Sequence, residues 1–541
     1  MSTRSRLAAL RGGDEELPVG LTLLSAAIAA VVLSPLLWVL ASALDASDWL
    51  RLLTRPTTVQ VFLNSALLVV GVTTASILLG VPTAYLTVRT DLPARRAFTV
   101  LLAMPLVVPS YIGAFAFVSA FGPRGQLQDL LAPFGVEQLP SIYGLGGTVL
   151  VLTLYTYPYV YITTRASLQS MDTRLVDAAR TLRHTKWQAF KRVTVPQIRP
   201  AVAAGALLVA LYTLSDFGTP AIMRFDAFTR VIFVEYNDVL GGGRDLASLL
   251  SLQLVVVTFV ILAVESRVRG SGVESDRTGR GTTVRLGRWR WPAVAACLAV
   301  ASLALVVPLG ILALWLVRGS ATPSLAFQPT YALNSVAVAA AAALVCALAA
   351  LPIAYLSTRS DHPLPWLLER ASYVGYAVPG VVMGLALVFF GARYGGNLYR
   401  EGLILLPLLI FAYVVRFLPQ ALGSSRAAFL GVSNTLPEAA RTLGHTPREA
   451  FRRVTFPLVL PGVLGGAALV FLTTMKELPA TLLLRPPEFK TLVTYIWSVQ
   501  QSGYYGQAAF PAFVLLFVSA LSMLVILATE KYELGGGDQD E

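Results

Sequence analysis

The sequence predicts an all-α polytopic membrane protein: twelve transmembrane helices in two parallel six-helix halves, each half carrying one polar cytoplasmic loop. Three observations predict it. Hydrophobic residues make up 55% and charged residues only 13% of the 541 positions, whereas a soluble protein carries about 25% charged residues. Apolar runs long enough to cross about 30 Å of hydrocarbon recur along the chain, beginning near residues 21, 61, 97, 144, 200, 246, 292, 333, 371, 403, 459 and 508. The second six of these runs repeat the first six in the same order.

Residues 1–20 form a cytoplasmic N-terminal segment ahead of the first run, Leu21 to Leu44. That run is too long for a signal-peptide core and has no small-residue cleavage site after it, so it is a retained span. The first six-span domain covers 21–265. Within it LNSALLV at Leu63 recurs as LNSVAVA at Leu333, and VPTAYLTVRTDLP at Val81 recurs as LPIAYLSTRSDHP at Leu351, an offset of 270. VVPS ending at Ser110 matches AVPG ending at Gly380 at that offset. A longer loop at 122–143 then lowers the offset to 261, at which Pro158 matches Pro419 and DFGTPAIMR at Asp216 matches ELPATLLLR at Glu477. Residues 266–291, rich in Gly, Arg and Ser and without a hydrophobic period, read as a cytoplasmic linker. The second six-span domain covers 292–530, and 531–541 is an acidic C-terminal tail.

Charge orients the chain. Lys and Arg concentrate in 87–97, 165–199, 266–291 and 424–453, which the positive-inside rule places in the cytoplasm; an even number of spans then leaves both termini there. The net charge of +12 is thus a membrane-topology signal and implies no nucleic acid. Cys297 and Cys346 lie inside apolar runs without metal-ligand spacing and read as small buried hydrophobes.

Each half places a polar insert between its fourth and fifth spans: DAARTLRHTKWQAFKRVTVP from Asp177 and EAARTLGHTPREAFRRVTFP from Glu438. Thr446-Pro447-Arg448-Glu449 reads as a capping box with proline at the first helical position, and Thr185-Lys186-Trp187-Gln188 as the same box with Gln. Two short helices meeting at a turn follow. Ala179 and Leu182, or Ala440 and Leu443, share a face before the turn; Phe190 and Val193, or Phe451 and Val454, share one after it. Such stripes are too short to span and too apolar to sit bare in water. They pack either on the chain's own cytoplasmic ends or on a partner, and their occurrence once per half favours a two-fold partner.

The second insert resembles the EAA loop of permease subunits from binding-protein-dependent ATP-binding-cassette importers. That pattern is met at Glu438, Ala439, Ala440, Gly444, Val454, Phe456 and Pro457; in the first copy Ala178, Ala179, Val193, Val195 and Pro196 fit, with Asp177 for Glu and Arg183 for Gly. The resemblance covers nearly the whole chain. It implies that Asp177, Ala178, Ala179, Leu182 and Arg183, with Glu438, Ala439, Ala440, Leu443 and Gly444, form coupling helices seated in two copies of a cytoplasmic ATP-binding-cassette ATPase. It also implies a substrate-binding protein outside the cell membrane. The chain has no GxxxxGK[ST] loop and the longest polar segment is the linker, so ATP is expected to be used by the partner. This chain is expected to be no enzyme and to bind no cofactor. The fused plan with SDFGTP and KELPATLLLRP is most similar to the ferric-iron branch; thiamine, phosphonate, sulfate and polyamine importers remain alternatives. So does a twelve-span secondary transporter of major-facilitator type, which needs no polar inserts.

For the substrate path the candidates are the ionisable residues within spans, each costing about 2.5–3.5 kcal/mol at mid-membrane: Arg416, whose counterpart is Tyr155, and Asp216 with Lys476-Glu477 late in the fifth spans. Lys476 and Glu477 could instead pair locally. With a fifth span starting near Pro200, Asp216 would lie about 24 Å along it. Tyr155, Tyr157, Tyr159 and Tyr161 step around a helix by about 200° per two residues, so they read as packing or interface anchors. His184, His362 and His445 read as cytoplasmic loop residues without metal spacing.

Overall fold

Lipid offers backbone groups no hydrogen-bond partner, so a chain this apolar satisfies them within helices. The computed structural model describes residues 18–44, 49–122, 125, 128, 132–135, 140–171, 174–183, 185–238, 243–270, 283–318, 326–360, 362–433 and 435–535. Among these, helices dominate and pairing between extended segments is limited to one bridge, Thr90 to Val284.

Nine of the described helices are long and apolar enough to cross a membrane, and two further pairs qualify as bent spans. The shorter apolar helix Tyr505–Leu521 occupies the place of the last predicted run. The predicted third spans differ from expectation in shape. Arg95–Val107 and Ser110–Phe121 meet at 91°, and Pro363–Ala377 and Gly380–Tyr394 meet at 99°. The bends fall at Pro109 and Pro379, each the residue before the outer helix. Both prolines lie in the repeated VVPS and AVPG stretches, where a residue preceding proline is pushed out of the helical region.

Two compact units emerge, and they do not follow the repeat boundaries 21–265 and 292–530. One comprises residues 1–45, 322–502 and 510–541; the other 46–321 and 503–509. The first span of each half therefore belongs to the unit built from the other half. In the former, Val19–Leu44 packs on Pro329–Arg359, Pro363–Tyr373 and Gly380–Tyr394, with the Trp38 ring 5.6 Å from Phe390 and 5.0 Å from Tyr394. In the latter, Arg290–Ala301 lies on Arg95–Ala103 and Val307–Arg318 on Ser110–Phe121, with buried Cys297 among Phe98, Leu102 and Tyr157.

Each unit has the same core of three helices. Pro56–Arg89, Leu145–Ser170 and Val195–Ser215 pack together, as do Pro329–Arg359, Leu405–Gly431 and Phe456–Met475. Small residues allow the approach: a Cβ at Gly80 would sit 3.0 Å from the Tyr161 nitrogen, and one at Gly466 would sit 3.1 Å from the Ala421 Cα. Tyr155, Tyr157 and Tyr161 are buried, and Tyr157 donates to the Leu102 carbonyl at 2.8 Å, so the tyrosine run is packing.

The fifth span does not begin near Pro200. Helix runs from Trp187 to Ser215, with Pro200 inside it, and from Pro447 to Met475 in the other half. Each passes through a π-helical turn, Phe190–Thr194 or Phe451–Thr455, immediately before Pro196 or Pro457. Proline removes one ladder donor, and a widened turn there lets the helix continue.

Candidate functional sites: the polar inserts and the broken helices

The first insert comprises Arg174–Thr181 and Lys186–Ala189; the second comprises Thr435–Thr442 and Pro447–Ala450. Both capping boxes form. Glu449 N–H donates to Thr446 Oγ1 at 3.3 Å and Thr446 N–H to Glu449 Oε2 at 3.0 Å. In the first copy Gln188 N–H donates to Thr185 Oγ1 at 3.2 Å and Thr185 N–H to Gln188 Oε1 at 3.0 Å. Gly444 takes φ 90° and its neighbours close the helix end, His445 N–H reaching the Ala440 carbonyl and Gly444 N–H that of Arg441. Arg183 takes the same left-handed conformation, φ 64°. The turn is thus kept in the first copy, at a cost of about 1 kcal/mol for a side chain there.

The apolar stripes divide. Phe190 meets Tyr85 edge-on at 5.1 Å and Phe451 meets Tyr355 edge-on at 5.6 Å, equivalent anchors on the second span of each half. Ala179 and Ala440 are buried within the chain, at 8% and 7% exposure. Leu182 and Leu443 stand out at 74% and 82% exposure, and Trp187 at 70%. Ala178, Glu438 and Ala439 are exposed as well. Two large aliphatic side chains held bare on capped helices are the form a docking surface takes. The Asp177 side chain and His184 lie outside the described residues.

The candidate path residues hold the breaks in the membrane helices. Val195–Ser215 ends at Asp216, and a short helix Gly218–Ile222 starts beyond it. Asp216 Oδ1 accepts from Thr219 N–H at 2.8 Å, and Oδ2 accepts from the Ser110 hydroxyl at the bend of the third span. Tyr212 donates to Ser110 at 3.2 Å. In the other half Glu477 caps Pro479–Leu484: its carboxylate accepts from Ala480 N–H at 3.2 Å, Thr481 N–H at 3.1 Å and Thr481 Oγ1 at 3.0 Å. Arg416 Nη1 completes the set at 2.5 Å, with side-chain exposures of 16% for Arg416 and 3% for Glu477.

Gly380 makes room for that pair, since a Cβ there would run into Glu477 Oε1, Arg416 Nη1 and Pro479. Ser110 is its counterpart. Lys476 does not pair with Glu477, and its side chain has no hydrogen-bond or ion-pair partner among the described residues. No group of three or more His, Cys, Asp or Glu suited to a metal occurs among them either.

A family model for the binding-protein-dependent transport system inner membrane component matches residues 76–322 and again 348–531. The chain belongs to this family. The permease is 30% identical to an Fe(3+)-transport system permease protein of Haemophilus influenzae, over 94% of its own length and 98% of the relative's. It is 25% identical to a ferric transport system permease protein of Actinobacillus pleuropneumoniae over 86% and 71% of the two chains. A molybdenum transport system permease protein of Mycobacterium tuberculosis is 30% identical over 41% of this chain and 84% of its own. The permease is accordingly a multi-pass membrane protein and a transport subunit of a binding-protein-dependent importer, which answers the major-facilitator alternative.

Sequence reasoning missed Ser110, Gly380, Tyr85 and Tyr355 as functional positions. All four lie in stretches that repeat at an offset of 270, so the signal was present as repetition but without a role attached.

Proposed function

We propose that the permease forms the translocation path of an ATP-driven importer that moves ferric iron, delivered by an external binding protein, into the cytoplasm. End-to-end likeness to the Fe(3+) permease of Haemophilus influenzae carries the choice of cargo, because it spans 98% of that relative. Two copies of a cytoplasmic ATPase supply the power, one seated over Leu182 and one over Leu443, and both termini face the cytoplasm. Exposure of these two leucines on equivalent, capped helices supports the two-fold docking. Asp216, Arg416 and Glu477 shape the path by holding its helix breaks. Proteoliposomes holding the permease with its ATPase and binding protein should accumulate labelled ferric iron only with internal ATP. ATP-dependent uptake of thiamine, phosphonate, sulfate, polyamine or molybdate in its place would overturn the choice of cargo.

A further inference from the structure

Where the second, third and fourth spans of the first half end, the structure opens a cleft of about 500 Å³ lined by Arg89, Arg95, Arg96, Arg165, Thr99 and Thr283. Four guanidinium groups converge on it. Arg89 is tied down, donating through Nη2 to the carbonyls of Leu168 and Met171. Its Nε is buried without a hydrogen-bond partner, and so is that of Arg165. Arg165 has no ion-pair partner among the described residues. A buried N–H left unmade is destabilising, and more so on a charged group. Like charges gathered without a counter-charge add to that.

The linker forms one wall. Val284 N–H donates to the Arg89 carbonyl at 2.8 Å and Asp91 N–H to the Val284 carbonyl at 3.2 Å. Asp91 is the carboxylate lining the adjoining hollow with Arg95 and Arg96. It accepts from the Leu286 N–H at 2.8 Å.

The second half is an internal control. At the repeat offsets Arg89 corresponds to Arg359 and Arg165 to Arg426, whereas Thr99 corresponds to Glu369 and Arg95-Arg96 to Pro365-Trp366. There Glu369 Oε2 lies 3.3 Å from Arg426 Nε, a built-in counter-charge. The first half has no carboxylate at that position and carries two arginines nearby. Charge that one half neutralises internally, the other presents.

We propose that this cleft binds a phosphate group, carried either by an anionic phospholipid headgroup or by a soluble molecule. Arginine forks match phosphate oxygens bidentately, and Arg89, Arg95, Arg96 and Arg165 all line this cleft. The bound group would brace Leu168–Met171, the stretch that leads directly into the first polar insert at Arg174. The inference concerns binding alone and stands or falls independently of which cargo the permease carries.

The test uses the full chain, purified and delipidated, as wild type, Thr99→Glu and Arg165→Gln. Thr99→Glu installs the carboxylate of the second half; Arg165→Gln removes a charge without a partner and serves if the first variant does not fold. One arm titrates inorganic phosphate against chloride at matched ionic strength and reads the thermal midpoint. The other incorporates the protein into nanodiscs of phosphatidylcholine with or without phosphatidylglycerol and reads retained lipid by native mass spectrometry. Phosphatidylglycerol retained by wild type, with phosphate inert, assigns the lipid source; stabilisation by inorganic phosphate, with no lipid preference, assigns the soluble one. In either case each variant should bind about tenfold more weakly or worse, with a midpoint in chloride no lower than that of wild type. No response to either probe, or variants that bind as wild type does, overturns the proposal.

Discussion

Replacing Arg416 by Met and Glu477 by Gln, singly and together, tests whether this pair is structural. Glu477 is 3% exposed and keeps three other donors, from Ala480 and Thr481. Breaking a buried pair by removing one partner costs about 3–5 kcal/mol. Arg416→Met leaves a carboxylate that is still hydrogen-bonded, so it should fall near the lower end, about 3 kcal/mol. Glu477→Gln should cost more. It leaves the guanidinium without a counter-charge, and its amide cannot accept from the Ala480 and Thr481 nitrogens with both atoms. The double variant removes the stranded charge and should therefore be more stable than Glu477→Gln alone, with a coupling of about 1–3 kcal/mol. Equilibrium unfolding of the purified chain in mixed micelles reads all four proteins. Iron uptake should fall in step with the amount of folded protein, so that uptake normalised to folded protein stays near wild type. Single variants within about 0.5 kcal/mol of wild type, or strictly additive losses, would refute a structural pair.

Four further outcomes are expected. Leu443→Asp and Leu182→Asp should abolish ATPase binding and uptake without lowering the thermal midpoint, because both side chains are exposed. Ala440→Glu is the poorer probe, since Ala440 is already buried in the chain and the charge would unfold the insert itself. Arg183→Gly should relieve the positive φ and stabilise the first insert by about 1 kcal/mol, read as slower amide exchange over 178–189; unchanged exchange would count against strain there. Gly380→Ala should push the Arg416–Glu477 pair apart and cost about 1–3 kcal/mol of stability, and a wild-type midpoint would contradict it. For topology, cysteines at exposed Ser141 and Ser433 should label from opposite sides with an impermeant reagent, Ser433 from the cytoplasm.

Much of this was legible in the sequence because it is local. Capping boxes at Thr446 and Thr185 depend on residues three apart, and both formed as read. Span positions follow from runs of apolar residues, and the two halves from plain repetition. What escaped depends on distant partners. Pro109 in an apolar run reads as a kink that a membrane helix tolerates. Only the Ser110 hydroxyl meeting Asp216, 106 residues away, shows a bend that is held. Sequence left open a local pair of Glu477 with Lys476, yet chain neighbours at a helix break point in different directions, and Arg416, 61 residues distant, takes the carboxylate. The exchange of first spans between units depends on packing such as Trp38 on Phe390, which hydropathy does not encode.

The duplication also separates architecture from specialisation, because each half is a fold-matched control for the other. Where the halves agree, the shared geometry demands it: Tyr85 and Tyr355 anchor Phe190 and Phe451, and the π-helical turns precede Pro196 and Pro457. Where they differ, chemistry changes on a constant backbone. The break of the fifth span is held by a hydroxyl and Asp216 in one half and by a guanidinium and Glu477 in the other. The scaffold is thus repeated while the polar groups that hold its breaks are not. The Gly380 vacancy makes the point at atomic scale. A side chain of any size there would exclude the Arg416–Glu477 pair, and the serine in its place at position 110 is what Asp216 requires. Each residue is therefore matched to its own half, and exchanging Ser110 and Gly380 between halves should damage both breaks although it conserves composition.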